Sequence, residues 1–307
     1  MALSLDQLNA ITHKKIQGKL FDNIFDSNPL LKRMLASGQY SAQDGGTSID
    51  VPLNYAQTTA SGWYSGAETL DTSDNENITA ARYTWKSLYT GVAITAEDEL
   101  KNSGAAGILK LLASKVQIAE KTIKDLLGTA LYSDGTDSQS IQGLRDIVAT
   151  DQTVGNISQT DHSFWQAQVD SSTTTMTLSA LNSLFEDASV RPEQPTVITS
   201  TRANYNRYYN LLTPVQRFTD SDTAKGGFTN LMFNGVVWIP DSHCPANHVF
   251  MLNEKHLWLW YHPERNFSMS EWIKPTNQEV KLSRVRWMGS FGSSNNRYHA
   301  KFSALTA

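Results

Sequence analysis

The sequence predicts an α+β fold organised around one long helix. Between residues 105 and 131, apolar side chains recur at three- and four-residue spacing, which predicts an amphipathic helix about 40 Å long. Stretches of alternating apolar and polar residues precede and follow this helix, as in half-buried strands. From about residue 143 to 265, short helical and strand patterns are mixed. We therefore expect a strand-rich domain that contains the long helix and a second, mixed α/β domain.

The composition is that of a folded chain of about two domains. Hydrophobic residues make up 40% of the 307 residues and charged residues 18%, against roughly 25% charged residues in typical soluble proteins. We find neither a secretory signal nor an apolar run long enough to cross a membrane, and we expect a cytosolic product. Cys244 is the only cysteine, which excludes an internal disulfide and a zinc site built on several thiolates.

The net charge of -4 is unevenly distributed along the chain. Residues 1–40 carry five Lys/Arg and three Asp/Glu, residues 251–307 carry eight and four, and the middle therefore carries 13 and 23. Two interpretations stay open. The pattern is ordinary variation among solvated faces, or the two basic ends share a face that meets a polyanion.

The first 38 residues have the pattern of an arm with short helices. Apolar residues occur at loose helical spacing, and Pro29 interrupts them. An arm ahead of the first strand has little of its own to pack on, so it folds back or lies on a neighbouring molecule. Its predicted contact residues are Leu20, Phe21, Phe25 and Leu30, and its basic residues are Lys14, Lys15 and Lys19.

Two strand patterns flank a long polar stretch. Residues 47–55 predict a strand that Pro52 places at an edge or a bulge, and residues 81–95 predict a strand that leads into the long helix. The 25 residues between them are too many for a simple turn. Trp63 and Tyr64 are unfavourable to leave exposed, so we predict an extended two-stranded loop that rests on another surface, with Leu70 as a further contact. A mobile loop or a sugar-binding loop is the alternative.

The long helix has clear start and stop signals. Thr95 and Asp98 form a Thr-x-x-Asp capping box, while Gly104 and Gly107 weaken the helix just after its start. We therefore predict a short opening helix, a break, a longer helix over 105–131, and a turn at Asp134-Gly135. The predicted buried stripe is Ile108, Leu112, Val116, Ala119, Ile123, Leu126 and Ala130.

The second region is predicted to contain helices over 177–190 and 201–212 and a buried strand over 195–200. Residues 232–240 and 248–252 predict a hairpin around the turn 241–247, and residues 257–261 predict a further strand. Near the C-terminus, residues 280–288 and 298–305 predict two strands joined by a turn, which return to the first domain.

The sequence has none of the common catalytic motifs, such as a nucleophile elbow, a phosphate-binding loop or a zinc-protease helix. Three clusters could supply paired carboxylates, metal ligands or a stacking platform. A helix start, a turn between strands and a core-facing helix stripe explain them more simply. They are Glu97, Asp98 and Glu99; Asp241, His243, Cys244 and His248; and Tyr205, Tyr208 and Tyr209. We predict no catalytic residue, no metal site and no cofactor.

The order of these elements resembles the major capsid proteins of tailed bacteriophages, which have the Hong Kong 97-type fold. The resemblance covers nearly the whole chain. Its most specific pieces are residues 27–30 in the arm, residues 127–143 after the long helix, and residues 233–241 followed by 249–252. It implies an N-terminal arm (1–38), a peripheral domain (39–142) with an extended loop (54–81) and a spine helix (95–132), an axial domain (143–265), and a return to the peripheral domain (266–307).

The function implied by the resemblance is structural, without catalysis. Subunits would form hexamers and pentamers of an icosahedral shell that encloses double-stranded phage DNA, with assembly in the host cytoplasm. The implied partners are other copies of the chain, a separate scaffolding protein, a portal, a decoration protein and nonspecifically bound DNA, but no membrane. An encapsulin-like compartment shell is the first alternative, and a hydrolase or sugar-binding protein is the second.

The resemblance also bears on covalent cross-linking between subunits. The family's prototype joins a loop lysine to an asparagine of a neighbouring subunit, with a glutamate as general base. Here no lysine occurs between Lys32 and Lys86, so the extended loop lacks the amine. We predict noncovalent shells.

Overall fold

The computed structural model describes residues 21, 23–24, 28–73, 76–101, 105–212 and 231–306. Within these residues, six helices and 15 strands form a five-stranded sheet, a six-stranded sheet and two two-stranded ribbons. The helices are α1 (Pro29–Ala36), α2 (Ala96–Lys101), α3 (Ala105–Leu131), α4 (Leu144–Ile147), α5 (Leu178–Asp187) and α6 (Arg202–Leu211). The strands are β1 (Tyr40–Ala42), β2 (Ser48–Asn54), β3 (Ile78–Thr84), β4 (Lys86–Thr95), β5 (Thr153–Val154), β6 (Ile157–Ser158), β7 (Gln168–Asp170), β8 (Val197–Ser200), β9 (Leu231–Phe233), β10 (Val236–Pro240), β11 (Val249–Leu252), β12 (Leu257–Tyr261), β13 (Ser268–Met269), β14 (Val280–Ser293) and β15 (Ala300–Phe302).

The five-stranded sheet is built around β14. Strand β4 pairs with it antiparallel over ten residues, from Val280 opposite Thr95 to Gly289 opposite Lys86. Strands β12 and β13 also pair with β14, and β1 runs parallel to β12. The N-terminal half of α3 packs on this sheet, because Val92 and Ile94 share a buried cluster with α3 residues.

The six-stranded sheet has the order β7-β15-β11-β8-β10-β9 and forms the second core together with α5 and α6. The side-chain oxygens of Thr177 and Thr201 accept hydrogen bonds from the third following backbone N–H groups, as helix N-caps do. Tyr208 stacks on Trp238 with ring centroids 4.4 Å apart. The two predicted helices and the strand of this region are confirmed.

The predicted start of the long helix is also confirmed. The Asp98 N–H donates to Thr95 Oγ1 at 3.0 Å, α2 follows, and α3 spans 27 residues. Leu112, Val116, Ala119 and Ile123 are buried as expected. The side chain of Ile108 lies outside the described residues. Asp134-Gly135 forms the predicted turn, with Gly135 at φ +72°.

The buried stripe was wrong at one position. Leu126 is 44% exposed, whereas Leu127 is 1% exposed and lies in the core. The stripe continues from Ile123 through Leu127 to Leu131 in steps of four, and adjacent residues on a helix point about 100° apart. At this point of α3 the surrounding core reaches Leu127 but not Leu126, so Leu127 is buried and Leu126 points outward. Ala130 is half-buried.

Three predictions of strand arrangement were wrong. Strands β10 and β11 do not form a hairpin, because β8 lies between them and pairs with both. Strand β12, expected in the axial region, pairs with β14, and β15, expected to return to the first domain, pairs with β7 and β11. The physical reason is the same in each case: alternation shows which side chains are buried but not which strand lies alongside. The chain passes between the two large sheets three times: between β4 and β7, between β11 and β12, and between β14 and β15.

Strands β2 and β3 form a separate antiparallel ribbon of seven residue pairs that ends with Asn54 opposite Ile78. The long loop begins beyond this pair, and its described residues contain no strand. The predicted two-stranded character of the loop is therefore confined to its base.

The described part of the arm folds back on its own subunit. Leu30, Leu31 and Met34 of α1 have no exposed surface. The ring of Phe21 lies 6.1 Å from that of Phe267 and packs against the same core. Of the two alternatives for the arm, the described residues follow the first: Leu30 is fully buried in its own subunit, and Phe21 is partly buried there. Leu20, Phe25, Lys14, Lys15 and Lys19 lie outside the described residues.

Candidate assembly surfaces

The extended loop presents large apolar side chains to solvent. Trp63 is fully exposed, at 105% of its reference area, and Tyr64 and Leu70 are 66% and 56% exposed. The base of the loop is fixed: Tyr55 stacks on Phe164 at 4.9 Å, and its hydroxyl donates to the Glu76 carbonyl at 2.6 Å. A fixed base with uncovered aromatic residues further out is the arrangement expected of a contact surface.

A salt bridge between Arg33 and Glu254 holds the arm helix α1 in place. Arg33 donates two hydrogen bonds to the buried Glu254 carboxylate, at 2.7 and 2.8 Å, which raises the pKa of Arg33. The Thr196 hydroxyl, just before β8, donates to the same carboxylate at 3.0 Å. This contact ties α1 to the second domain, so α1 is part of the rigid subunit and not a free arm.

The turn after β10 contacts the spine helix. Asp241 accepts a hydrogen bond from the buried Tyr132 hydroxyl at 3.0 Å. The ring nitrogens of His243 lie 3.3 Å from Asp241 Oδ1 and 3.2 Å from Asp125 Oδ1. A Cβ added at Gly128 would come within 2.6 Å of the His243 ring, so the glycine lets the turn lie directly on α3. This close approach is structural, and it joins the second domain to the helix.

The remaining residues of the turn cluster, Cys244 and His248, and the three tyrosines of α6 also have structural roles. Burial raises the pKa of the Cys244 thiol, which keeps it protonated and unreactive. Burial lowers the pKa of His248 to about 4. Tyr205 and Tyr208 are buried, whereas Tyr209 is 40% exposed. These tyrosines form no open stacking platform.

The acidic residues at the start of α2 stabilise the beginning of that helix and form no paired-carboxylate site. Glu97 pairs with Lys101 one turn later at 2.7 Å, and Asp98 lies in the capped first turn. The side chain of Glu99 lies outside the described residues. In the part of the chain that the structure describes, no group of three or more His, Cys, Asp or Glu side chains is placed to hold a metal ion. No described helix combines the length and apolar character needed to cross a membrane.

A buried polar junction that the sequence did not predict lies where the chain passes between the sheets. His299 is fully buried; its Nδ1 accepts from the Asn253 N–H at 3.2 Å, and its Nε2 lies 3.2 Å from Ser293 Oγ. Burial lowers the pKa of His299 to about 3. Nearby, Lys301 donates to the Arg145 carbonyl at 2.7 Å, and burial lowers the pKa of Lys301 to about 8. The sequence signal, a lone His before a short strand, does not distinguish this junction from a surface turn.

No protein-family model and no curated protein sequence matches the chain. Solved structures match it over most of its length. The capsid asymmetric unit of cyanophage A-1(L) is 16% identical, with 90% of this chain and 92% of that chain covered and a TM-score of 0.64. The capsid of a native GTA particle is 11% identical (89% and 90% covered, TM-score 0.60). The SrpI encapsulin of Synechococcus elongatus PCC 7942 is also 11% identical (89% and 87% covered, TM-score 0.57).

These matches establish the fold. About 90% of each chain is covered, so the similarity extends over most of the molecule and not over one domain alone. The chain has the Hong Kong 97-type fold that is shared by phage capsid subunits and an encapsulin.

Proposed function

We propose that this protein is the major capsid subunit of a tailed bacteriophage. In this role it forms hexamers and pentamers of an icosahedral shell around double-stranded DNA, catalyses no reaction, and is assembled in the host cytoplasm. The observation that carries the proposal is the exposed loop on a Hong Kong 97-type subunit. Trp63, Tyr64 and Leu70 have no cover within the subunit, and burying one large aromatic side chain stabilises a contact by roughly 2 to 3 kcal/mol.

Negative-stain microscopy of the purified protein, expressed with and without the neighbouring genes, tests the proposal. We expect closed shells, and a variant that lacks residues 62–77 should stay folded but fail to assemble. The deletion lies beyond the β2–β3 ribbon, so the circular dichroism and the thermal unfolding of the subunit should change little. A wild-type protein that remains monomeric or forms only small oligomers would contradict the proposal.

An encapsulin-like compartment is the second candidate, because the SrpI encapsulin has the same fold with similar coverage. The contents of purified particles separate the two functions. A phage shell contains nuclease-protected DNA of uniform length, whereas a compartment contains a cargo enzyme. Portal and protease genes beside this gene would favour the phage shell.

The remaining assignments follow from this proposal. The arm would face the lumen, with Lys14, Lys15 and Lys19 offsetting the charge of packaged phosphates. A separate scaffolding protein would guide assembly, a portal would occupy one vertex, and a decoration protein would clamp the joints. We keep 1–38, 39–142, 143–265 and 266–307 as the proposed domains. Both large sheets contain strands from either side of the boundary between residues 265 and 266, because β12 pairs with β14 and β15 pairs with β11.

A further inference from the structure

The β2–β3 ribbon, which carries the extended loop, belongs to neither of the two large sheets. Within the described residues, its two strands pair only with each other. An isolated two-stranded ribbon is at best marginally stable in water, so contacts with the rest of the subunit must hold it in position. One side of the ribbon supplies them: Ile49, Leu53, Ala81 and Tyr83 are buried in the core that contains the second half of α3.

Tyr83 attaches the ribbon to the junction between the sheets. Its side chain is buried, and its hydroxyl donates to the Ser293 carbonyl at 2.6 Å and accepts from the Ser293 N–H at 3.0 Å. Ser293 is the last residue of β14, where the chain leaves the five-stranded sheet, and its Oγ lies 3.2 Å from His299 Nε2. The ribbon is therefore bonded to the main chain of the junction and not to a flexible side chain.

Two glycines make the space for the Tyr83 ring. A Cβ added at Gly292 would come within 2.5 Å of the ring, and one added at Gly155 would come within 2.8 Å of the Ala81 Cβ and 3.3 Å of the ring. Gly155 lies in the turn between β5 and β6 with φ +58°, and its carbonyl accepts from the Arg82 N–H at 2.8 Å. Strand β14 and the β5–β6 turn therefore enclose the ring from two sides.

A second attachment holds the far end of the ribbon. Tyr55, which follows the last residue of β2, stacks on Phe164 with ring centroids 4.9 Å apart. Phe164 is fixed to the body of the subunit, because the neighbouring Trp165 is buried and its indole N–H donates to the Val154 carbonyl at 3.0 Å. The ribbon is thus attached at both ends.

These attachments end where the extended loop begins. Beyond the pair Asn54–Ile78, the described residues contain no strand, and Trp63 and Tyr64 are exposed. Segments with few buried contacts are the ones that open or bend most easily. The contrast between a buried ribbon and an exposed loop places the easiest point of bending just beyond the ribbon.

We propose that the β2–β3 ribbon is a fixed arm of the subunit, positioned by Tyr83 and Tyr55, and that the extended loop changes direction only beyond the pair Asn54–Ile78. The purpose of this device rests on the proposed function: in a closed shell of hexamers and pentamers, subunits in different surroundings meet their neighbours by bending the loop while the ribbon stays in place. A force on the loop then passes through Tyr83 to the junction between the two sheets.

Distances between pairs of spin labels locate the bend. One label is placed at the end of the ribbon (Ile78→Cys) or on the loop (Gly62→Cys), and the other on the exposed side of α3 (Lys121→Cys). The native Cys244 is buried and stays unlabelled. The labelled full-length chain is diluted into excess unlabelled protein, so that double electron–electron resonance reports distances within one subunit. We expect a narrow distribution for the 78–121 pair and one about twofold broader for the 62–121 pair.

Tyr83→Phe tests the attachment itself. The variant keeps the ring but leaves the Ser293 N–H and C=O groups without the hydroxyl. We expect the 78–121 distribution to broaden and hydrogen exchange of the ribbon amides to rise about tenfold, as for the loss of buried hydrogen bonds. Tyr89→Phe, at a position of β4 that is 68% exposed, is the matched control and should change neither measurement. If Tyr83→Phe does not fold, Phe164→Leu removes the stack at the other end of the ribbon and should change both measurements in the same direction.

Two results would overturn the fixed ribbon. One is an equal width of the two distance distributions in the wild-type protein. The other is a folded Tyr83→Phe protein, or in its place a Phe164→Leu protein, whose ribbon distances and exchange match those of the wild type. Both measurements are made on single subunits and do not require shells. A wild-type protein that forms no particles would therefore contradict the proposed function without affecting the test of the ribbon.

Discussion

Single residues fix how closely the two domains approach the long helix. The ring of His243 lies against Gly128, where the missing side chain leaves just enough room for it. Glycine costs a helix up to about 1 kcal/mol relative to alanine, so its presence at position 128, three residues before the end of α3, requires a packing reason. The contact with His243 supplies that reason.

Gly128→Ala should therefore change the free energy of unfolding in a way that depends on residue 243. In the wild-type background, the new Cβ collides with a ring that Asp241 and Asp125 hold in place, and we expect a loss of about 1 to 3 kcal/mol. In a His243→Ala background, the clash is gone and helix propensity should make the same substitution stabilising by up to about 1 kcal/mol. Denaturant unfolding of the four proteins measures this change of sign. An equal loss in both backgrounds would show that the ring is not the obstacle.

The buried His299 makes stability depend on pH. Its pKa is lowered from 6.5 to about 3, so between these values the unfolded chain binds a proton that the folded chain does not. Stability should consequently fall as the pH decreases below about 6.5, by up to about 1.4 kcal/mol for each pH unit. His248, with a pKa of about 4, adds to the same trend.

The measurement is the unfolding midpoint between pH 6.5 and 5, above the range in which most carboxylates titrate. His299→Gln should be less stable at neutral pH, because it disturbs the contacts with Asn253 and Ser293, but its stability should depend less on pH in this window. A variant with the same slope as the wild type would exclude His299 as the source.

At the scale of elements, the sequence was most informative where one segment determines its own structure. The bounds of α2 and α3 were predictable because a capping threonine, a glycine-containing break and a long apolar stripe are local signals. The base of the long loop was predictable from the two alternating segments, and the exposure of Trp63 followed from the polar residues around it.

Features that depend on two distant segments were not predictable. The insertion of β8 between β10 and β11, and the exchange of β12 and β15 between the sheets, are decided by packing between segments 28 or more residues apart in the chain. The burial of Leu127 in place of Leu126 was not predictable either, because a helix can bury one or both of two consecutive leucines, as Leu30 and Leu31 of α1 show.

At the scale of the whole molecule, three polar junctions fix the two sheets relative to each other. His299 joins the connections that follow β11 and β14, the Arg33–Glu254 salt bridge ties α1 to the second domain, and His243 joins the turn after β10 to α3. None of these junctions lies in the exposed loop. In the proposed capsid role, these junctions would hold the two sheets together while the exposed loop makes contacts with other subunits.

The strength of such an assembly must come from noncovalent contacts. The cross-link of the family's prototype needs an amine on the loop, and residues 33–85 include no lysine. Lys86 is the nearest one, but it lies at the start of β4, beyond the seven residues of β3, and its amine donates to the Ser138 carbonyl. No amine is therefore available where the loop meets its neighbour, whatever Asn295, Asn296 or Glu279 present opposite it.

Boiling mature particles in detergent and separating them on a gel tests this conclusion. We expect a single band near 34.1 kDa, because detergent and heat disperse contacts that depend on buried apolar area summed over many interfaces. If wild-type particles gave pentamer- and hexamer-sized bands that survive boiling with reductant, a covalent bond from a residue other than a loop lysine would have to join the subunits, and the noncovalent interpretation would be wrong.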